Sequence, residues 1–123
     1  VDGVTGDGTD ILSVDGYCAT HAVERLDILH SDIQGAEADM LRGASRMLGE
    51  RRVDYVFIST HSNDLHAECV RSLESHGYRI LASANLDDSY SGDGLIVARG
   101  PHVNGPDSLP ISLRSRDGAA NAR

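Results

Sequence analysis

The strongest constraint on this chain is the alternation of strand-like and helix-like segments between residues 26 and 99. Leu26 to Ser31 is a mostly apolar run of strand length that stops at Asp32 and Gly35. Directly afterwards Ala36, Met40, Ala44, Met47 and Leu48 recur at helical spacing, with Glu37, Asp39, Arg42 and Arg46 on the other positions. This spacing predicts a single helix, for which Gly49 supplies a C-terminal stop. Val53 to Thr60 is rich in β-branched and aromatic residues and is the clearest strand. A second helix follows, with Leu65, Cys69 and Leu73 on one stripe and Gly77 to end it. Tyr78 to Ala84 and Leu95 to Arg99 are two further strands, split by the polar loop Asn85 to Gly94.

Upstream, residues Val1 to Asp10 are rich in Gly, Asp and Thr and read as a loop. Ile11 to Val14 is a short strand candidate, and Asp15 is placed to N-cap a helix running to about Arg25. The order strand–helix–strand–helix–strand–strand implies an α/β fold: right-handed crossovers onto a mainly parallel sheet, closed by an antiparallel hairpin. Parallel strands are normally covered on both faces, and three helices are thin cover for a whole domain. We therefore expect the C-terminal half of a doubly wound, Rossmann-like sheet over residues 1–100. The opening Val1-Asp2-Gly3, without an initiator Met, fits a start part-way through such a domain. Residues 101–123 contain Pro, Ser, Gly and Arg without periodicity and are expected to form a flexible tail.

Composition narrows the partners. A formal net charge of -8 opposes binding to phosphate backbones and anionic membranes. One Phe and no Trp leave few platforms for stacking bases, so nucleic acid is not an expected partner. The apolar run Val56-Phe57-Ile58 is far too short to span a bilayer, and no secretion signal is evident. Cys18 and Cys69 lie far apart and form no CxxC pair, which suits two reduced, buried thiols in a cytoplasmic protein.

Ligands of open α/β sheets sit beyond the carboxyl ends of the strands. Two polar segments fall there: His30 to Glu37, leaving the first strand, and Thr60 to Asp64, leaving the next. If those strands are neighbours, Asp32 and His61 face one another across one crevice.

Three stretches then carry a specific resemblance. Val14-Asp15-Gly16-Tyr17-Cys18, Arg25 through Glu37 (Arg-Leu-Asp-Ile-Leu-His-Ser-Asp-Ile-Gln-Gly-Ala-Glu) and Leu41-Arg42-Gly43-Ala44 resemble the signature of the FkbM methyltransferases. Val56 to Ser62 and His76-Gly77-Tyr78 extend the likeness, which runs from about Ser13 to Tyr78. The resemblance implies a class I methyltransferase fold and transfer of a methyl group from S-adenosylmethionine to a hydroxyl of a small molecule or sugar. It also implies that the main cofactor-holding loop and the acidic residue of the second strand lie upstream of residue 1. Gly3 to Gly8 is a loose Gly-rich loop, but no strand precedes it and no crossover helix directly follows, so it reads as a solvated turn.

On that resemblance Asp32 and His61 are the catalytic candidates, and Asp32, Gln34 and Glu37 the cofactor-binding ones. Each has a plainer alternative. Asp32 is equally placed to N-cap the following helix. Glu37 lies in a first helical turn, where the macrodipole favours a carboxylate in any protein. Gly35 suits a tight turn or a close backbone approach. His61 suits a general base, because its ordinary pKa is near neutral and an alcohol must lose a proton on methylation; an ordinary hydrogen-bonded loop histidine is the other option. His30 stands where the family usually has Lys. His66 and His76 read as exposed helix residues. His30, Asp32, Glu37, His61 and His66 are metal-ligand types, yet they lack any HExxH-like spacing, and no metal ligand is assigned. Two rival functions remain: a non-catalytic truncated domain that self-associates, for instance as a homodimer, through an exposed sheet edge, and a metal-dependent hydrolase.

Overall fold

The apolar runs form strands where their alternation demands it, and the chain order follows. The structure, a computed structural model, describes residues 3–4 and 10–114. Strands β1 (Gly3–Val4) and β2 (Asp10–Ile11) pair antiparallel as a small ribbon. Helix α1 (Val14–Thr20) leads to β3 (Leu26–Ser31), α2 (Glu37–Arg42) and α3 (Ser45–Gly49). Then come β4 (Val53–Thr60), α4 (Asn63–Ser75), β5 (Arg79–Ala84) and β6 (Gly94–Arg99).

The main sheet has the order β3-β4-β6-β5. Strands β3 and β4 are parallel, while β6 is antiparallel to both β4 and β5. The sheet is therefore mixed, and only one of its pairings is parallel, which corrects the expectation of a mainly parallel sheet. The expected hairpin is present, but its second strand is tucked inside the sheet. Buried residues dominate β6 on both faces, so it needs a neighbour on each side.

Alternation along β4 separates two cores. Val56 and Ile58 join Leu41, Leu48, Cys69, Leu73, Ile96 and Ala98 in a cluster with the helices. Tyr55 and Phe57 pack on the other side with Leu81, Val97 and Leu95, and no helical residue joins that smaller cluster among the described residues. Residues 101–114 run back past this region. Leu109 N–H donates to Leu81 O, Arg99 donates to the carbonyls of Val103 and Pro106, and Arg114 N–H donates to Asp88 O. His102 and Arg25 meet the buried Asp54, whose carboxyl is held below its usual range by the Arg25 guanidinium first and by His102 as well.

Two local expectations are corrected. Ser13, not Asp15, caps α1 by accepting from Gly16 N–H. Asp15 instead accepts from Arg46 N–H (2.8 Å) and Met47 N–H (2.9 Å), capping α3 across the fold. The single helix expected from Ala36 breaks at Gly43 and Ala44, where Gly43 packs so closely on Ser13 that a Cβ would sit 2.9 Å from Ser13 Cβ.

Candidate functional site

The carboxyl ends of β3 and β4 lie side by side, with Ser31 opposite Ile58. The antiparallel strand β6 starts at the same end, with Gly94 opposite Thr60. Consequently the residues just outside these three strand ends, Asp32, His61 and Asp93, converge. His61 Nε2 lies 3.2 Å from Asp32 Oδ1 and 3.7 Å from Asp93 Oδ2. These are ion-pair distances; neither carboxylate is aligned for a hydrogen bond with Nε2, which has no such partner among the described residues. Asp32 and Asp93 are about half exposed, whereas the His61 side chain is 14% exposed.

The turn leaving β3 sets up the other side of His61. Gln34 (φ 45°) and Gly35 (φ 99°) adopt left-handed backbone, which glycine tolerates without cost. That turn lets Glu37 fold back, so that its Oε2 accepts from Gly35 N–H at 2.8 Å. The same oxygen accepts from His61 Nδ1–H at 3.2 Å. Helix α2 has Ala36 at its N-cap with no side-chain cap, so the capping role open to Asp32 is not taken up. Glu37 is wholly buried, and its Oε1 has no hydrogen-bond partner among the described residues. With Nδ1 committed to Glu37, Nε2 is turned toward the two aspartates.

Behind the crevice a polar knot ties the strand ends together. Thr60 Oγ1 lies 2.8 Å from His66 Nδ1, and His66 Nε2 lies 2.7 Å from Ser83 Oγ. His66 is buried, not exposed as expected, and burial lowers the pKa of its imidazole. Gly94 lets this knot close: a Cβ there would overlap Thr60 Oγ1 and sit 2.7 Å from His66 Nδ1. Thr60 precedes His61 and Gly94 follows Asp93, so the knot sets the separation of the two site residues.

The structure thus brings Asp32, Glu37 and His61 together. Gln34 is exposed on the turn beside them. His30 is exposed on β3 and has no contact with the cluster among the described residues, and His66 belongs to the knot behind it. Asp93 was missed from the sequence. Its only local signal is an acidic residue directly before an apolar strand, which says nothing about which strand ends it will meet. An apolar cleft of about 500 Å3, lined by Leu12, Val14, Ile33, Ala36 and Met40, shares Ile33 with the Asp32–Gly35 turn.

Comparison with known proteins agrees with the resemblance seen in the sequence. Residues 3–80 match a family model described as the methyltransferase FkbM domain. No curated protein and no solved structure matches the chain.

Proposed function

The chain belongs to the FkbM methyltransferase domain family, and from that premise we propose that it serves methyl transfer from S-adenosylmethionine to a hydroxyl of a small molecule or sugar at the Asp32–His61 crevice. The observation that carries the proposal is the meeting of Asp32 and His61 at the ends of β3 and β4, with His61 oriented from behind by buried Glu37.

When bound, S-adenosylmethionine supplies an electrophilic methyl group on a positively charged sulfur. The donor set here suits it. Three carboxylates, Asp32, Glu37 and Asp93, surround one imidazole, and such a field favours a cation at the crevice. Asp32 and Gln34 are exposed on the turn and offer oxygen acceptors to an ammonium or ribose hydroxyl. Glu37 has no exposed surface, so its contribution passes through His61. The main demand of an in-line displacement is that the acceptor oxygen be held against the methyl carbon. His61 Nε2, or Asp32 Oδ1, is placed to take the proton that the hydroxyl loses.

The partial sheet supports the idea that this is the C-terminal portion of a doubly wound class I domain. Among the described residues, helices build only one of the two cores and β3 is a sheet edge, with Ile28 59% exposed. Such an edge invites another strand, from the complementary half or from a second copy. Sedimentation of the purified chain is expected to show a dimer at high concentration; a monomer throughout would oppose that pairing. The buried free cysteines Cys18 and Cys69 suit the reducing cytoplasm, and no helix among the described residues is long and apolar enough to cross a membrane.

The activity is tested with methyl-labelled S-adenosylmethionine and a panel of sugars and hydroxylated small molecules, on the protein with its complementary half. Asp32→Ala and His61→Ala are expected to lower turnover by about 100-fold or more. Wild-type turnover in both variants would reject the assignment.

A further inference from the structure

We propose that residues 101–114 form an acceptor-selecting strap, which with the loop between β5 and β6 builds a hollow for one uncharged, hydroxyl-bearing ring. The ligand's role as acceptor rests on the methyl-transfer proposal. The hollow, of about 280 Å3, is lined by Ser59, Ser89, Tyr90, Ser91, Ile111 and Ser112, with Leu95 from the helix-free core. It borders the crevice: the lining residues Ser91 and Gly94 stand on either side of Asp93 in the chain, and Ser59 stands two residues before His61. Apart from Ser59, every lining residue lies beyond residue 80, where the family match ends. The selecting wall is thus built by chain outside the matched methyltransferase domain.

The strap is fastened by specific features of the sequence. A β-bulge between Ile80 and Ala82 takes Leu81 out of register with β6, and Leu81 O accepts from Leu109 N–H at 2.8 Å. The Arg99 side chain, 12% exposed, donates to Val103 O, Pro106 O and Asp107 Oδ1. Gly105 lets the strap lie close over this anchor, because a Cβ there would sit 2.6 Å from Tyr55 Oη and 3.0 Å from Arg99 Cδ. Farther on, Arg114 N–H donates to Asp88 O at 2.6 Å and its guanidinium to Asp87 O at 2.9 Å. Ile111 and Ser112 therefore span the interval between two fixed points, the Leu109 bond to β5 and the Arg114 bonds to the β5–β6 loop. The Ser89–Ser91 turn is itself pre-formed: its two Oγ atoms are 3.0 Å apart, and Ser91 Oγ donates to Asp93 O at 3.1 Å.

The lining decides the ligand. None of its residues is charged and the chain carries a formal net charge of -8, so an anionic group would enter a negative field without a counter-charge. Ser59 Oγ and Ser112 Oγ have no hydrogen-bond partner in the protein among the described residues, and each both donates and accepts, which matches a ligand hydroxyl. Tyr90, 58% exposed, offers an aromatic surface to the C–H face of a ring. The volume lies at the small end of ligand pockets, roughly 300–1,000 Å3, and admits one ring, not a chain of them.

The test is a nuclear magnetic resonance titration of this chain joined to its complementary half, without a methyl donor. The probes are a panel of methyl hexosides and pentosides, with glucuronate and glucose 6-phosphate as charged counterparts. At least one methyl glycoside should bind saturably, with shifts at Ser59, Tyr90 and Ser112, and the charged sugars at least about 10-fold more weakly. Tyr90→Ala, at an exposed position, should weaken glycoside binding about 3–10-fold with the circular dichroism unchanged. Ser112→Arg, also exposed, supplies the missing counter-charge and should narrow the preference for neutral over charged sugars by about 10-fold. No saturable binding of any panel member, shifts confined to another face, or an unchanged preference in folded Ser112→Arg would overturn the proposal. None of these results touches the methyl-transfer reading, which the labelled-donor assay tests separately.

Discussion

Replacing Gly94 by Ala tests how the two sides of the crevice are held together. The added methyl carbon has no room: it would overlap Thr60 Oγ1, sit 2.7 Å from His66 Nδ1 and approach Ala84 O at 3.2 Å. Relief requires moving the Thr60–His66 pair, which is buried between α4 and the sheet, or pushing β6 away from β4. Overpacking of this kind costs typically 1–3 kcal/mol, and loss of the buried hydrogen bond adds about 1 kcal/mol. The expected loss is therefore about 2–4 kcal/mol, a large share of the stability of a small domain. Urea unfolding reads it as a lower midpoint with an unchanged slope. Thr60→Ala removes the overlapping oxygen, so the double variant should be more stable than the sum of the single losses predicts, by about 1 kcal/mol or more. A loss below about 0.5 kcal/mol in Gly94→Ala, or strict additivity in the double variant, would refute the reasoning.

Two further perturbations probe the frame around the site. Asp15→Ala removes the acceptor of the first N–H groups of α3 and should cost roughly 0.5–2 kcal/mol, seen as a lower melting temperature; an unchanged melting temperature would oppose the capping role. Burial depresses the His66 pKa, so below about pH 6.5 the unfolded chain binds the proton that the folded chain resists. Stability should be full above that pH and fall as the pH drops toward the folded value, with a shallower fall in His66→Gln; equal slopes from pH 7.5 to 5.5 in both proteins would contradict this.

The strands were legible because their signals are local. Leu26–Ser31 and Val53–Thr60 occupy the residues that their apolar and β-branched runs mark out. So was the meeting of Asp32 with His61, which needs only that consecutive parallel strands be neighbours. What escaped depends on residues distant in the chain. Gly43, at the C-cap of α2, packs closely on Ser13, and Asp15 caps a helix that begins thirty residues later. His66 is buried because Thr60 and Ser83 satisfy both ring nitrogens, which turns a polar side chain into a core one. Asp93 joins the site because β6 inserts between β4 and β5, a pairing that no local pattern announces.

The central claim is that the ends of β3 and β4 form the methyl-transfer site. The most direct measurement is a nuclear magnetic resonance titration, with S-adenosylhomocysteine, of this chain joined to its complementary half, which detects affinities as weak as about 1 mM. The account predicts saturable shifts concentrated at Asp32, Gln34 and His61, and their loss in Asp32→Ala. Shifts confined to another face of the folded chain, or none at all, would contradict it.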